Sequence, residues 1–501
     1  MPVVTIVCGS TTEKIHCSQG SLLSDVMLEQ GHTIKMPCAG KGICKKCRVK
    51  VQGLEQSITA TEQGALLPQE IQEGIRLACC ATVTEDCTVW LAQEKAAQIS
   101  GEGELPDFEK SPNFQNYGIA IDIGTTTLAA RLYNKDMLLG QSTQVNPQRV
   151  FGADVISRIE ASLNGKAPQL ASTIRTAINQ LIEDVCGQAN ISPQQVDGMV
   201  IMGNTAMLYL LCQYPVDSIA KAPFRSEHLF DCWLQGKDLD LICPHCRVYL
   251  PPCMGAFVGA DTTAAILGSS LCESQDTQLL VDIGTNGEMA LWQQDKLLCC
   301  STAAGPAFEG VGLWMGMEAK EGAIDHVEVK QGAVVSHALG GIEAVGLCGS
   351  GAVDAVACGL QVGIIEESSY MEDVFWLSEK VGINQKDVRM IQLAKGAIFA
   401  GMESLLEDAK VDFSAVKAVK AAGGFGNYLN LPNAAAIGLL PKKLLPVSVC
   451  VGNAALTGAS MLLLNEHFIK KMQALTSSAK CVDLAVNPFF QDAFVEAMLF
   501  E

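Results

Sequence analysis

The chain has 501 residues, 49% of them hydrophobic, enough for roughly two to four domains with buried cores. Its net charge of −19 argues against nucleic acid or an anionic membrane surface as the main partner. No basic-then-apolar leader opens the chain and no run approaches ~18 uncharged apolar residues, so a cytoplasmic protein with no membrane partner is expected.

Residues 1–92 read as a small α+β unit. "VVTIV" and "CRVKV" have the look of short strands, and "SLLSDVMLEQ" of a helix of about ten residues with Ser21 near its N-cap. The 21 cysteines of the chain are odd in number and irregular in spacing, which excludes a disulfide scaffold and directs attention to metal. Most, such as Cys186, Cys358 and Cys450, sit singly in apolar segments as small buried hydrophobes.

The exception is "MPCAGKGICKKC", where Cys38, Cys44 and Cys47 have the spacing C-x5-C-x2-C. Cys79, in "RLACC", lies 32 positions beyond Cys47. A [2Fe–2S] cluster needs two thiolates per iron, so one loop can give three ligands and a distant segment the fourth. Gly40 and Gly42 let the backbone curl tightly, and their N–H groups can point at sulfide. Lys41, Lys45 and Lys46 add positive charge nearby. Structural zinc favours paired C-x2-C units, and only one pair occurs in this cluster. The first gap is one residue longer than in plant-type ferredoxins and resembles that of the adrenodoxin-like ones. Cys80 is a rival for the fourth position; ferredoxins similar to this one place the ligand in "R-L-A-C", which favours Cys79.

Residues 93–116 are polar, acidic and carry Gly and Pro, as a linker does. From Tyr117 apolar strand runs alternate with helical stretches and Gly-rich turns, the texture of an α/β architecture. "YGIAIDIGTTT" at 117–127 is echoed by "QLLVDIGTNGE" at 278–288, which suggests two similar halves facing one another. Asp122 and Asp282 each end a strand, followed by Gly124-Thr125-Thr126 and Gly284-Thr285-Asn286. Such turns offer consecutive N–H donors and hydroxyls to phosphate, and a carboxylate at the strand end can hold Mg²⁺ through water.

This duplicated turn resembles the sugar kinase, Hsp70 and actin superfamily, whose two ribonuclease-H-like halves clamp ATP. Three further stretches agree. In "FVGADTTAAILG" (257–268) Asp261 matches the Asp that acts on the reacting hydroxyl in sugar kinases, and here can orient a water. "AAGGFGNYL" (421–429) resembles the adenosine motif, with Gly423, Gly424 and Gly426 admitting the nucleotide. "VGNAALTGA" (451–459) resembles the closing helix. Glu288 and Glu309 are further candidates for positioning water or metal.

A ferredoxin unit joined to an actin-like ATPase is similar to the ATP-dependent reductive activators of corrinoid proteins. The likeness is carried by "NPQRVFGADVISRI" (146–159), "MGNTAM" (202–207), "STAAGPAFEG" (301–310), "LCGSGAVDA" (347–355) and "QLAKGAI" (392–398). It implies a β-grasp ferredoxin domain at 1–92, ATPase halves at 117–255 and 256–465, and a C-terminal extension at 466–501. It also implies ATP and Mg²⁺ as cofactors besides the cluster, a corrinoid protein of a methyltransferase system as partner, and a cellular electron donor; it leaves a homodimer open. The implied task is to return Co(II) to Co(I) by one electron. A plant-type cluster sits near about −400 mV, Co(I) is a very strong reductant, and each ~59 mV uphill is a factor of ten for one electron, which is where ATP helps. The alternatives are an ATP-coupled iron–sulfur reductase of another target and a small-molecule kinase with a fused ferredoxin. Cys232, Cys243, Cys246 and Cys253, with "CPHC" at 243–246, read as buried thiols before a second metal site, and Trp314 as a packing residue before a partner contact.

Overall fold

Val4, Ile6, Val49, Val51 and Val89 alternate with more exposed neighbours and are themselves 5% exposed or less. That period of two makes strands with one buried face. The computed structural model describes residues 1–501 apart from 9–10, 30–31, 33, 35, 37–39, 41, 43–44, 55–57, 92–104, 424–427 and 501. The chain falls into two units, Met1–Ala96 with Pro147–Ile174, and Ala97–Asn146 with Arg175–Glu501.

In the first unit five strands form one mixed sheet in the order Thr11–His16, Val3–Cys8, Cys87–Leu91, Arg48–Gln52, Ile75–Leu77. Val3–Cys8 is antiparallel to Thr11–His16 and parallel to Cys87–Leu91, the β-grasp arrangement. The helix Leu23–Glu29 buries Leu23, Val26 and Met27 against it. It is shorter than expected and starts two residues after Ser21. Its first donors need no side-chain cap: the Leu23 N–H donates to Ala81 O at 2.9 Å and the Ser24 N–H to Ala78 O at 3.0 Å. The carbonyls flanking Cys79 thus anchor the helix. Val150 belongs to the same apolar core and Phe151 packs against it.

The second unit is built on two six-stranded sheets. The first has the order Cys232–Gln235, Arg247–Leu250, Val196–Gly203, Tyr117–Ile123, Thr127–Tyr133, Leu138–Val145. The second has the order Ser448–Gly452, Val416–Ala422, Thr277–Ile283, Gly287–Gln293, Lys296–Thr302, Lys480–Cys481. The echo in the sequence is an echo in space. Tyr117–Ile123 and Thr277–Ile283 each pair antiparallel with the following strand and parallel with a later one. Both bury the same positions along their length, and in both the aspartate is a partly exposed position next to the end.

The helices Ala260–Gly268 and Ala454–Leu464 cross with almost nothing between them. A Cβ on Gly458 would lie 1.9 Å from Ala264 O, and one on Gly268 2.1 Å from Ala454 O. The stretch after residue 465 packs into the second half: Lys480–Cys481 extends its sheet, and Phe500 is 1% exposed beneath Lys395. Among the described residues, no helix is long and apolar enough to cross a membrane.

Candidate nucleotide pocket and thiol site

The first turn is braced by three asparagines. The Asn146 N–H donates to Thr126 O and its Nδ2 to Gly124 O, both at 2.8 Å. Asn204 caps the helix Thr205–Cys212 with its Oδ1 and donates its Nδ2 to Thr125 Oγ1 at 3.1 Å. Asn453 caps Ala454–Leu464 in the same way and donates its Nδ2 to Asp122 Oδ2 at 3.1 Å. Each cap oxygen satisfies an orphan N–H, and each amide that remains points into the turn. Gly124 admits this geometry because a Cβ there would meet Thr127 O at 2.6 Å.

The second turn is held differently. Gly284 N–H donates to Asn286 O at 3.1 Å and Gly305 N–H to Thr285 O at 2.9 Å. The carboxylate of Glu309 accepts the Thr285 N–H at 3.0 Å and the Thr285 hydroxyl at 2.9 Å, and it also accepts the Thr126 hydroxyl from the first turn. The two threonine oxygens are 3.2 Å apart, so the turns meet hydroxyl to hydroxyl. Gly423, at φ +102°, lies so close to the strand end that a Cβ would stand 2.7 Å from Asp282 Oδ1.

Between the turns is a cavity of about 210 Å³. It collects the described residues expected there: Asp122, Gly124, Thr125 and Thr126 from the first turn, Asp282, Gly284, Thr285 and Asn286 from the second, and Gly423. Asp261, Glu288, Glu309 and Glu318 complete the lining of charge. Gly424 and Gly426 lie outside the described residues. Asp261 stands in the first turn of its helix, where the Thr262 N–H donates to its Oδ1 at 2.7 Å.

These carboxyls share one electrostatic problem. Burial pushes Asp122 and Asp282 up to about 7 and Asp261 to about 6, against an ordinary value of 3.8. The neighbouring acids add to it, Asp261 on Asp122, and Asp261, Asp122 and Glu309 on Asp282. Burial raises Glu288 well above its ordinary value too. No Lys or Arg lines the cavity among the described residues. A divalent cation would offset the charge of a phosphate chain in such an acid-rich space, and Mg²⁺ takes one or two carboxylates beside phosphate oxygens and water.

In the first unit the Cys47 and Cys79 sulfurs are 3.3 Å apart, and both residues are buried. Two buried thiols at that distance can share one iron. Gly40 and Gly42 have φ of +80° and +73°, which turns the loop as expected. Cys80 Sγ is 3.6 Å from Cys79 Sγ but faces Gly42, where a Cβ would meet it at 3.0 Å. Cys38, Cys44 and Lys41 lie outside the described residues.

Comparison with known proteins bears on the domains that carry the two sites. The family described as "2Fe-2S iron-sulfur cluster binding domain" matches residues 6–84. "RACo middle region" matches 117–274, and "C-terminal domain of RACo the ASKHA domain" matches 276–501. The corrinoid activation enzyme RamQ of Eubacterium limosum is 32% identical over 97% of this chain and 98% of its own. The chain belongs to the corrinoid activator family. A "[Co(II) methylated amine-specific corrinoid protein] reductase" of Methanosarcina barkeri is 26% identical over 70% of each chain. Among solved structures, a reductive activator for a corrinoid, iron–sulfur protein is similar, with a TM-score of 0.72 and 27% identity, over 99% of this chain and 98% of the other. The β-grasp ferredoxin domain and the actin-like ATPase fold are therefore family features as well as geometric ones.

Asn204, Asn453 and Tyr428 are pocket residues that the motifs did not single out. "MGNTAM" and "VGNAAL" both place Gly-Asn before a helix, and that N-cap signal was the one available. Cys243 and Cys246 are each 1% exposed. Among the described residues no group of three or more His, Cys, Asp or Glu is arranged to hold a metal. Trp314 is 44% exposed, its ring 6.0 Å from that of Trp376.

Proposed function

We propose that this chain is an ATP-dependent reductive activase. It transfers one electron from a [2Fe–2S] cluster to Co(II) of a corrinoid protein and restores Co(I) for methyl transfer. One observation carries the reading: a single chain joins a buried thiol pair in a ferredoxin fold to a duplicated phosphate turn, in a family whose members include a corrinoid activation enzyme. Bound in this domain, the cluster supplies a one-electron carrier of low potential.

Cys47 and Cys79, with Cys38 and Cys44, would hold the cluster. In the pocket, Thr125, Thr126, Thr285 and Asn286 give hydroxyl, amide and N–H donors to phosphate, while Gly124, Gly284 and Gly423 keep the walls close. Asp122 and Asp282, with Glu288, would hold Mg²⁺ through water, and its charge would offset the upward pull on their pKa values. Asp261 orients the water that attacks the terminal phosphate, since its Oδ1 is fixed by the Thr262 N–H. Gly423, with Gly424 and Gly426, faces the adenosine. We place the protein in the cytoplasm, supplied by a cellular electron donor.

The test is to mix the protein with a Co(II) corrinoid protein, a reductant and ATP–Mg²⁺, and to follow the visible spectrum for Co(I). ATP-dependent Co(I) is the expected result. Its absence with every corrinoid protein of the same organism would overturn the reading. An EPR spectrum of the reduced protein separates this class from activators that carry a [4Fe–4S] cluster.

A further inference from the structure

We propose that Glu309 is an internal competitor for the phosphate seat: its carboxylate takes the donors of both turns, and nucleotide binds by displacing it. The inference rests on the nucleotide-binding reading above and adds a regulatory residue to that site.

The donors in question are the Thr285 N–H, the Thr285 hydroxyl and the Thr126 hydroxyl. They are also the groups that make the two turns a phosphate site. A hydroxyl has one hydrogen to give, and each of these two gives it to Glu309. A carboxylate and a phosphate oxygen place the same demand on them, so one set of donors cannot serve both. The two anions also repel one another by like charge, as Glu309 and Asp282 do in the same cavity.

The chain around Glu309 is built to let it withdraw. Glu309 ends the short 3₁₀ turn Pro306–Glu309, flanked by Gly305 at φ +80° and Gly310 at φ +73°. The loop that follows carries Trp314, whose N–H donates to Asp387 Oδ1 at 2.7 Å and whose ring stands against Trp376. Glu318, four residues further, returns to the cavity lining. A withdrawal of Glu309 would therefore move a loop that carries an exposed tryptophan five residues on.

The rival is that Glu309 stays in place and helps to hold Mg²⁺. The two predict opposite signs for removal of its charge. The experiment is calorimetric titration of the full-length protein with ATP, in EDTA and again with Mg²⁺, for wild type, Glu309→Gln and Glu309→Asp. Glu309→Gln is expected to bind ATP about tenfold more tightly in EDTA, the scale of one charged hydrogen-bond set released. Glu309→Asp, one methylene short of the donors, shifts the same way by a smaller factor. Tryptophan emission changes on ATP binding in wild type and changes less in Glu309→Gln, whose loop has already let go. Equal or weaker ATP binding by both variants overturns the competitor role. If wild type itself binds no ATP, the nucleotide reading has failed, not this one.

Discussion

The side-chain amide of Asn453 donates to Asp122 Oδ2 at 3.1 Å, across 331 positions of sequence. The other end of the same amide accepts the Leu456 N–H at 2.8 Å and starts the closing helix. One residue thus fixes a helix terminus and a strand-end carboxylate together. The two roles separate by substitution. Asn453→Asp keeps the cap but sets a second carboxylate against Asp122, so ATP–Mg²⁺ affinity falls about tenfold, while the melting temperature stays near wild type at about pH 5.5, where the pair holds protons. Asn453→Ala loses both and is less stable by about 1 kcal/mol. Thermal melting and nucleotide titration of the two variants read the split.

The pocket carboxyls make stability depend on pH with a definite sign. Asp122 and Asp282 titrate near 7 and Asp261 near 6, against 3.8 when unperturbed. Between roughly pH 4 and pH 7 the native state binds protons that the unfolded chain has released. The stability this gives is complete at the acid end of that window and is lost as pH rises through 6 to 7. Mg²⁺ competes with those protons, so its effect runs the other way. The rise in melting temperature on adding Mg²⁺ should be largest near about pH 8 and smallest near about pH 5.5. Asp282→Asn should flatten the dependence. A Mg²⁺ effect independent of pH contradicts the assignment.

Cys79 and Cys80 differ in what they face, and the cluster should report it. Cys79→Ser is expected to lose the visible and EPR signals of the [2Fe–2S] centre, and so is Cys47→Ser. Cys80→Ala should keep the iron and the spectrum, because its sulfur faces Gly42 while Cys79 Sγ is the one 3.3 Å from Cys47. Iron content after purification checks all three.

Beside that site is a buried ion pair. Arg76 Nε and Nη2 each donate to Glu62 at 2.8 Å, and the Leu77 N–H donates to Glu62 Oε1 at 3.0 Å. Burial alone would raise the Glu62 pKa, but the Arg76 bonds and the Thr59 and Leu77 N–H groups hold it below the ordinary value. Arg76→Met leaves a buried carboxylate alone and should destabilise the ferredoxin unit by about 3–5 kcal/mol. Adding Glu62→Leu should recover most of that loss. Urea unfolding followed by loss of the cluster absorbance measures both.

The folds were largely legible because two signals repeat. "DIGT" at a strand end occurs twice, and the strands before it bury the same positions. The close cysteines fall on a loop whose described glycines do turn at positive φ. What was not legible depends on partners distant in sequence. Asn204 and Asn453 are visible as N-caps, but a cap has a second end, and only the tertiary fold says what that end touches. Ser21 misplaced the start of its helix because carbonyls near residue 80 satisfy the same donors. Glu309 was one carboxylate among several, and its contact with both turns requires the halves to have met.

The crossing of Ala260–Gly268 with Ala454–Leu464 has a mechanical consequence. Each helix begins at the cavity, one with Asp261 in its first turn and the other behind Asn453. Where Gly458 lies on Ala264 and Gly268 on Ala454, backbone bears on backbone and no side chain can change rotamer to absorb a shift. The two helices work as a riveted pair. Asp261 and the Asn453 amide keep one alignment, and neither can be re-aimed without carrying the other along.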